Sequence, residues 1–210
     1  MLQLRRCHME TVILPPRWFM MTHVDVKDGM TLASLIAMGG HKFLKAFDGP
    51  LLLIKTKNPP TRSYETTVKF DDRDVSLTGF IEPHSLIIPL RKTADNGCPD
   101  HITVGRFENN DIIISDHTIS KVHGWFVPPR GNYDLWRFCD NNSTNGSELN
   151  LRKMPPTSPS FIRSGDELNL GGIEILFLHQ IDAHGLCKYV ESAWHTTQLS
   201  AAQPDDTLIL

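Results

Sequence analysis

From Leu86 onward the chain breaks into short apolar runs at roughly ten-residue spacing, which is the pattern of an all-β domain. The runs predict strands at Leu86–Arg91, Ile102–Val104, Ile112–Ile114, His123–Val127, Tyr133–Cys139, Glu148–Leu151, Phe161–Arg163, Glu167–Leu170 and Ile173–His179. Turn chemistry separates them: Asn109-Asn110, Pro128-Pro129-Arg130-Gly131, Asn141-Asn142, Ser164-Gly165-Asp166 and Gly171-Gly172. No helical period intervenes, so the expected architecture is an antiparallel sandwich or barrel. Ahead of it the period changes. Leu32, Leu35, Ile36, Phe43, Leu44 and Phe47 recur at helical spacing over Asp28–Phe47, with Gly39-Gly40 as a break and Asp48-Gly49-Pro50 as the stop. Leu51–Lys55 reads as a buried strand, Asn58-Pro59-Pro60 as a turn, and Thr66–Phe70 as an alternating strand. Asp71, Asp72 and Asp74 fit no calcium loop and read as a solvated turn. Beyond the sandwich lie a short helix around Lys188–Leu199 and a polar tail. The expected division is a leader over 1–27, a small α+β segment over 28–83, the β domain over 84–182, and a helix and tail over 183–210.

Composition narrows the picture. With 210 residues, 40 % apolar and 21 % charged, the chain is an ordinary globular one, and collagenous or largely disordered readings fall away. Net charge is −3, which calls for neither nucleic acid nor an anionic membrane as partner. The charge is uneven: residues 1–99 carry 13 basic and 10 acidic side chains, while residues 100–210 carry 8 and 14. No apolar run is long enough for a membrane span, so no membrane insertion is expected. Cys7, Cys98, Cys139 and Cys187 are widely spaced, as reduced structural cysteines in a cytoplasmic protein would be. Ten histidines include no His-x-His or His-x-x-x-His pair, and no metal or cofactor is expected. Nucleophile-elbow, zinc-protease, P-loop and dinucleotide motifs are all missing, which argues against an enzyme.

The candidate chemistry sits on loops, because strands are committed to packing. Arg106 follows Gly105 at a strand end, Ser120 and Lys121 close a polar loop that starts at Asp116, and Ser143-Thr144-Asn145-Gly146 forms a third. Brought together, they present a guanidinium fork, hydroxyls, an amide and backbone N–H groups, which is the donor set a dianionic phosphate requires. Blander readings exist for each. Arg106 would pair with Glu108 or Asp111, Ser120 would be a turn hydroxyl, Asn145 an Asx-turn residue, and Lys121 simply solvated.

Taken in order, Gly105-Arg106, Ser120-Lys121-Val122-His123, Asn142-Ser143-Thr144-Asn145-Gly146 and Gly165-Asp166 resemble the forkhead-associated (FHA) domains. The resemblance covers about residues 85 to 180. It implies an eleven-stranded FHA-type β-sandwich that binds phosphothreonine peptides without catalysis, preceded here by a small α+β N-terminal extension. Arg106 and Ser120 would hold the phosphate, and Lys121 would add its N–H and its ammonium. Thr144 would fix the phosphate loop and Asn145 would bond the peptide backbone, while Gly105, His123 and Gly146 would support the loops. Readers of the residue three places after the phosphothreonine would lie in Pro128–Tyr133 and Asn141–Ser147. The implied partner is a threonine-phosphorylated protein or peptide, a serine/threonine kinase or its substrate. The competing expectation is an assembly protein that uses the same fold for phosphate-independent contact. Thr207, between two aspartates and an aliphatic tail, is a candidate phosphorylation site that would dock in this cleft.

Overall fold

The run Leu51-Leu52-Leu53-Ile54 has no polar position, so as a strand it demands cover on both faces. The computed structural model describes residues 25–26, 29–37, 49–55, 67–70, 73–77, 80–81, 85–93, 96–131, 135–183 and 185–186. In chain order their elements are β1 (Asp25–Val26), β2 (Met30–Thr31), α1 (Leu32–Ala37), β3 (Leu51–Ile54), β4 (Thr67–Phe70) and β5 (Arg73–Ser76). Then follow β6 (Leu86–Pro89), β7 (Ile102–Gly105), β8 (Ile112–Ser115), β9 (Gly124–Val127) and β10 (Arg137–Asp140). The last are β11 (Ser147–Leu149), β12 (Arg152–Lys153), β13 (Ser160–Phe161), β14 (Asp166–Leu170) and β15 (Ile173–Leu178).

Two sheets face each other. One has the order β1-β8-β7-β9-β10-β13, the other β12-β11-β14-β15-β3-β6-β2, and β4-β5 form a separate hairpin. The protein is mainly β, as the spacing of apolar runs predicts. Among the described residues the strand pairs are antiparallel save one: β7 and β8 run parallel, with Val104 opposite Ile112 and Gly105 opposite Ile113. Ile102, Val104, Ile112, Ile114, Phe126 and Phe138 from the first sheet meet Leu52, Ile54, Ile88, Leu168, Ile175 and Phe177 from the second in one core.

The alternate residues of the second sheet point the other way and are buried too. Leu51, Leu53, Ile87, Leu176 and Leu178 join Leu32, Phe70, Leu77, Phe80, Ala183 and Leu186 in a second core on its outer face. That is why β3 reads as an unbroken apolar run. Burying a leucine fully contributes about 1.5–3 kcal/mol, so this layer is a substantial share of the fold's stability. The expected boundary at residue 84 therefore runs through a hydrogen-bonded sheet. β3 pairs with β15 through Ile54–Ile175 to Leu51–Leu178, and with β6 on its other side.

Several local expectations shift. The helix starts at Leu32 rather than Asp28, because Met30 and Thr31 pair with Ile87 and Leu86 as β2. The Thr31 hydroxyl oxygen then accepts the Ser34 N–H at 3.2 Å and caps α1. Asp74 lies within β5, paired with Lys69. The remainder of the expected helix to Phe47, the turn at Asn58-Pro59-Pro60, Asp71, Asp72, nearly all of the leader, the Lys188–Leu199 helix and Thr207 fall outside the described residues.

Asp111 ties the approach to β7 in place. Its carboxylate accepts from the Thr93 N–H (2.8 Å) and hydroxyl (2.9 Å), Lys92 Nζ (2.9 Å), Asn96 Nδ2 (3.0 Å) and the Thr103 N–H (2.8 Å). Burial pushes its pKa up, but the bonds from Thr93, Lys92 and Thr103 outweigh this and hold it below the ordinary 3.8. A carboxyl depressed on folding adds stability above its unfolded pKa and loses it as pH falls through the folded one. Asp111→Asn is expected to cost about 1–3 kcal/mol at pH 7 and less at pH 3, below the unfolded value of 3.8. Urea unfolding of both proteins at the two pH values measures the difference.

Candidate functional site

Gly105 ends β7 against the backbone of the 116–121 loop. A Cβ built there would lie 2.3 Å from the Lys121 carbonyl oxygen and 2.8 Å from Asn110 Nδ2. With hydrogen in its place, the Arg106 N–H reaches the Ser120 carbonyl at 3.0 Å and the Phe107 N–H reaches the Lys121 carbonyl at 3.3 Å. Asn110, almost wholly buried, folds the 106–111 connection back by donating Nδ2 to the Phe107 (2.8 Å) and Lys121 (2.7 Å) carbonyls. That compact loop is what lets β8 turn back and run parallel to β7.

The third loop is anchored from below and from the side. Buried Asp140, at the end of β10, accepts the Ser143 N–H (2.9 Å), the Ser143 hydroxyl (2.7 Å) and the Ser147 hydroxyl. Burial raises its pKa, and those serine bonds together with the nearby His123 bring it below the ordinary 3.8. Laterally, the Thr144 N–H donates to Ser120 Oγ at 3.0 Å, Asn145 Nδ2 to the Thr118 carbonyl at 2.8 Å, and Asn141 Nδ2 to the Val122 carbonyl at 3.3 Å. Gly146 closes the turn at φ +74°, a conformation that glycine adopts without strain.

His123 lies fully buried beneath the loops. Its N–H donates to the Val104 carbonyl (2.8 Å), its carbonyl accepts from the Asn141 N–H (2.9 Å), and Nδ1 accepts the Ser120 N–H at 3.2 Å. One residue thus fastens β7, the 116–121 loop and the 141–146 loop together. Nε2 is buried without a hydrogen bond, 3.8 Å from Asp140 Oδ2. Burial pushes the imidazole pKa below the usual 6.5, against the opposing pull of Asp140 and the Gly146 carbonyl.

These loops wall a cleft of about 680 Å³ lined by Arg106, Ser120, Lys121, Thr144 and Asn145, and by His117, Asn141 and Asn142. All five residues expected to bind a phosphopeptide line it, while Gly105, His123 and Gly146 stand behind the loops. Among the described residues the Arg106 guanidinium makes no ion pair, and Asp111, its blander partner, is occupied by Lys92. Ser120 Oγ accepts the Thr144 N–H, and its own O–H donates to Thr144 Oγ1 at 3.3 Å. Asn145 has Oδ1 and one N–H left over. Of the expected readers of the residue three places on, Asn141, Asn142, Thr144 and Asn145 line the cleft, Pro128–Gly131 do not, and residues 132 and 133 lie outside the described ones.

The roles of three residues in holding the site were not read from the sequence. Asp140 and Ser147 hide in strands, where an acid and a serine give no pattern. Phe107, 44 % exposed, sits with Lys121 Nζ 4.9 Å and Arg106 Cζ 5.7 Å from its ring centroid. Its only sequence signal is adjacency to Arg106.

The FHA domain family model matches residues 102–171. An oxoglutarate dehydrogenase inhibitor of Corynebacterium jeikeium is 33 % identical over 75 residues, 36 % of this chain and 48 % of that protein. An ABC transporter ATP-binding/permease protein of Mycobacterium tuberculosis is 29 % identical over 79 residues, 38 % of this chain and 8 % of that one. The chain thus spans about half the length of the first relative and a small part of the second. Among solved structures, the FHA domain of a Chlamydia trachomatis protein is similar at 19 % identity and a TM-score of 0.37, covering 62 % of this chain and 97 % of that one.

Two expectations follow from the loop supports. Gly105→Ala forces the Lys121 carbonyl away and is expected to cost about 1–3 kcal/mol, with faster amide exchange at Arg106 and Phe107. Thermal melts and hydrogen exchange read both effects. A histidine whose pKa is lowered on folding destabilises the fold as pH drops below its unfolded value of 6.5. Wild-type stability should therefore fall between pH 7 and 5, and His123→Gln should flatten that part of the profile in denaturant titrations.

Proposed function

We propose that this chain, which carries an FHA domain over residues 102–171, is a non-catalytic phosphothreonine-peptide binding module acting as an adaptor in serine/threonine kinase signalling. The observation that carries this reading is the convergence of Arg106, Ser120, Lys121, Thr144 and Asn145 on one cleft whose walls are tied by backbone hydrogen bonds. A phosphate brings close to two negative charges and three acceptor oxygens. Against it the Arg106 fork supplies bidentate, charge-assisted donors, Ser120 a hydroxyl, and Lys121 an N–H and an ammonium. Thr144 keeps the Ser120 oxygen oriented through its own N–H. Asn145, already fixed to the Thr118 carbonyl, holds its remaining amide atoms toward a peptide backbone.

Selectivity for phosphothreonine over phosphoserine would rest on shape. One buried methyl contributes only about 0.8 kcal/mol through area, so excluded geometries must supply the rest. The acidic balance of residues 100–210 does not oppose the reading, because binding rests on a few local donors. It would disfavour phosphopeptides that engage by charge alone. The name of the corynebacterial relatives, oxoglutarate dehydrogenase inhibitor, describes action on another protein, and an adaptor is of that kind. The adaptor would act in the cytoplasm, on a threonine-phosphorylated kinase or kinase substrate.

An oriented phosphothreonine peptide pool titrated against the full chain tests this. Binding is expected to require the phosphate and to weaken at least about 100-fold in Arg106→Ala. Equal binding of phosphorylated and unmodified pools, or partner capture unchanged in Arg106→Ala, would instead favour phosphate-independent assembly.

A further inference from the structure

Arg106 and Lys121 are exposed cations that point into the same cleft, and like charges at such range repel when no anion lies between them. Long side chains left to themselves would splay apart into water. Here both heads gather at one ring. Lys121 Nζ lies 4.9 Å and Arg106 Cζ 5.7 Å from the Phe107 centroid, within the range at which an aromatic quadrupole attracts a cation. The Phe107 backbone that carries the ring is tied on both sides. Its N–H is bonded to the Lys121 carbonyl at 3.3 Å, and its carbonyl accepts Asn110 Nδ2 at 2.8 Å. Its ring is 44 % exposed, so packing in the core does not explain its presence.

We infer that Phe107 is a positioning residue that holds the Arg106 guanidinium and the Lys121 ammonium convergent in the unliganded protein, pre-organised for a dianionic phosphate. The inference rests on the phosphothreonine reading and deepens it: the ring offsets the mutual repulsion of the two cations before the ligand arrives. Affinity gained this way comes from a smaller loss of side-chain freedom on binding, not from a new contact to the phosphate. The effect therefore concerns the phosphate and leaves the peptide's sequence preference untouched.

The test uses the full chain, the same phosphothreonine peptide pool, and the variants Phe107→Leu and Phe107→Trp. Leucine keeps apolar bulk and removes the π face, whereas tryptophan strengthens it. Phe107→Leu is expected to weaken binding roughly 10-fold with unchanged peptide preference, and Phe107→Trp to bind as tightly as wild type or tighter. In the ligand-free protein, the Lys121 ε and Arg106 δ protons should show upfield ring-current shifts that vanish in Phe107→Leu. Wild-type affinity in Phe107→Leu, a tryptophan variant as weak as leucine, or ring-current shifts missing from the free protein would each overturn the inference while Arg106-dependent binding stands. If the wild-type chain binds no phosphopeptide, the phosphothreonine reading fails and takes this inference with it.

Discussion

The Arg106 and Phe107 amides bond to the Ser120 and Lys121 carbonyls, and those bonds close only because Gly105 brings no side chain to the junction. The cleft is built outward from that seam. It sets Arg106 beside Ser120, fixes the height of Lys121, and leaves Asn110 to finish a connection of six residues between parallel strands. His123 repeats the same strategy one level down, where its backbone and Nδ1 bond to three separate segments. Side chains that meet solvent are thus positioned by backbone geometry, which costs little further ordering when a ligand arrives.

The second sheet is committed on both faces. Its inner face completes the sandwich core, and its outer face is covered by residues of α1 and the β4-β5 hairpin together with Ala183 and Leu186. Arg73 on the hairpin bonds to Asp166 and, at 2.8 Å, to the Ser164 carbonyl, while Phe70 packs where a Gly165 side chain would stand. These attachments hold the end of β14 opposite the cleft. Gly171, at its other end, sits directly under Thr118, where a Cβ would come within 2.4 Å of the carbonyl oxygen. The outer layer and the binding loops are therefore fastened to opposite ends of one strand.

The sandwich was legible because each of the nine apolar runs from Leu86 overlaps a strand, the Phe161–Arg163 run by Phe161 alone, and the intervening turns hold the Gly, Asn and Pro residues that turns require. The two-residue pairings β1, β2 and β12 were not, since such short bridges exist through their partners and leave no period of their own. The parallel β7-β8 pair escaped for a related reason: it depends on Asn110, whose role is visible only once Lys121 is its neighbour. At the site, the donors were readable as residue types at ordered separations. What holds them, namely Asp140, Ser147 and the ring of Phe107, was not, because a buried acid and an exposed aromatic acquire meaning only from what folding places beside them.

Strand β3 comes from sequence well ahead of the recognisable motifs, yet it lies between β15 and β6. A fragment begun at residue 84 would keep every residue of the cleft and lose Leu51–Ile54 from both cores. It would also bare the backbone edge of Ile175–Leu178, an apolar strand with open donors and acceptors. Such an edge recruits another strand, so the excised piece would tend to aggregate or swap segments between copies. In this protein the hydrogen-bonded sheet reaches well ahead of the stretch that is recognisable.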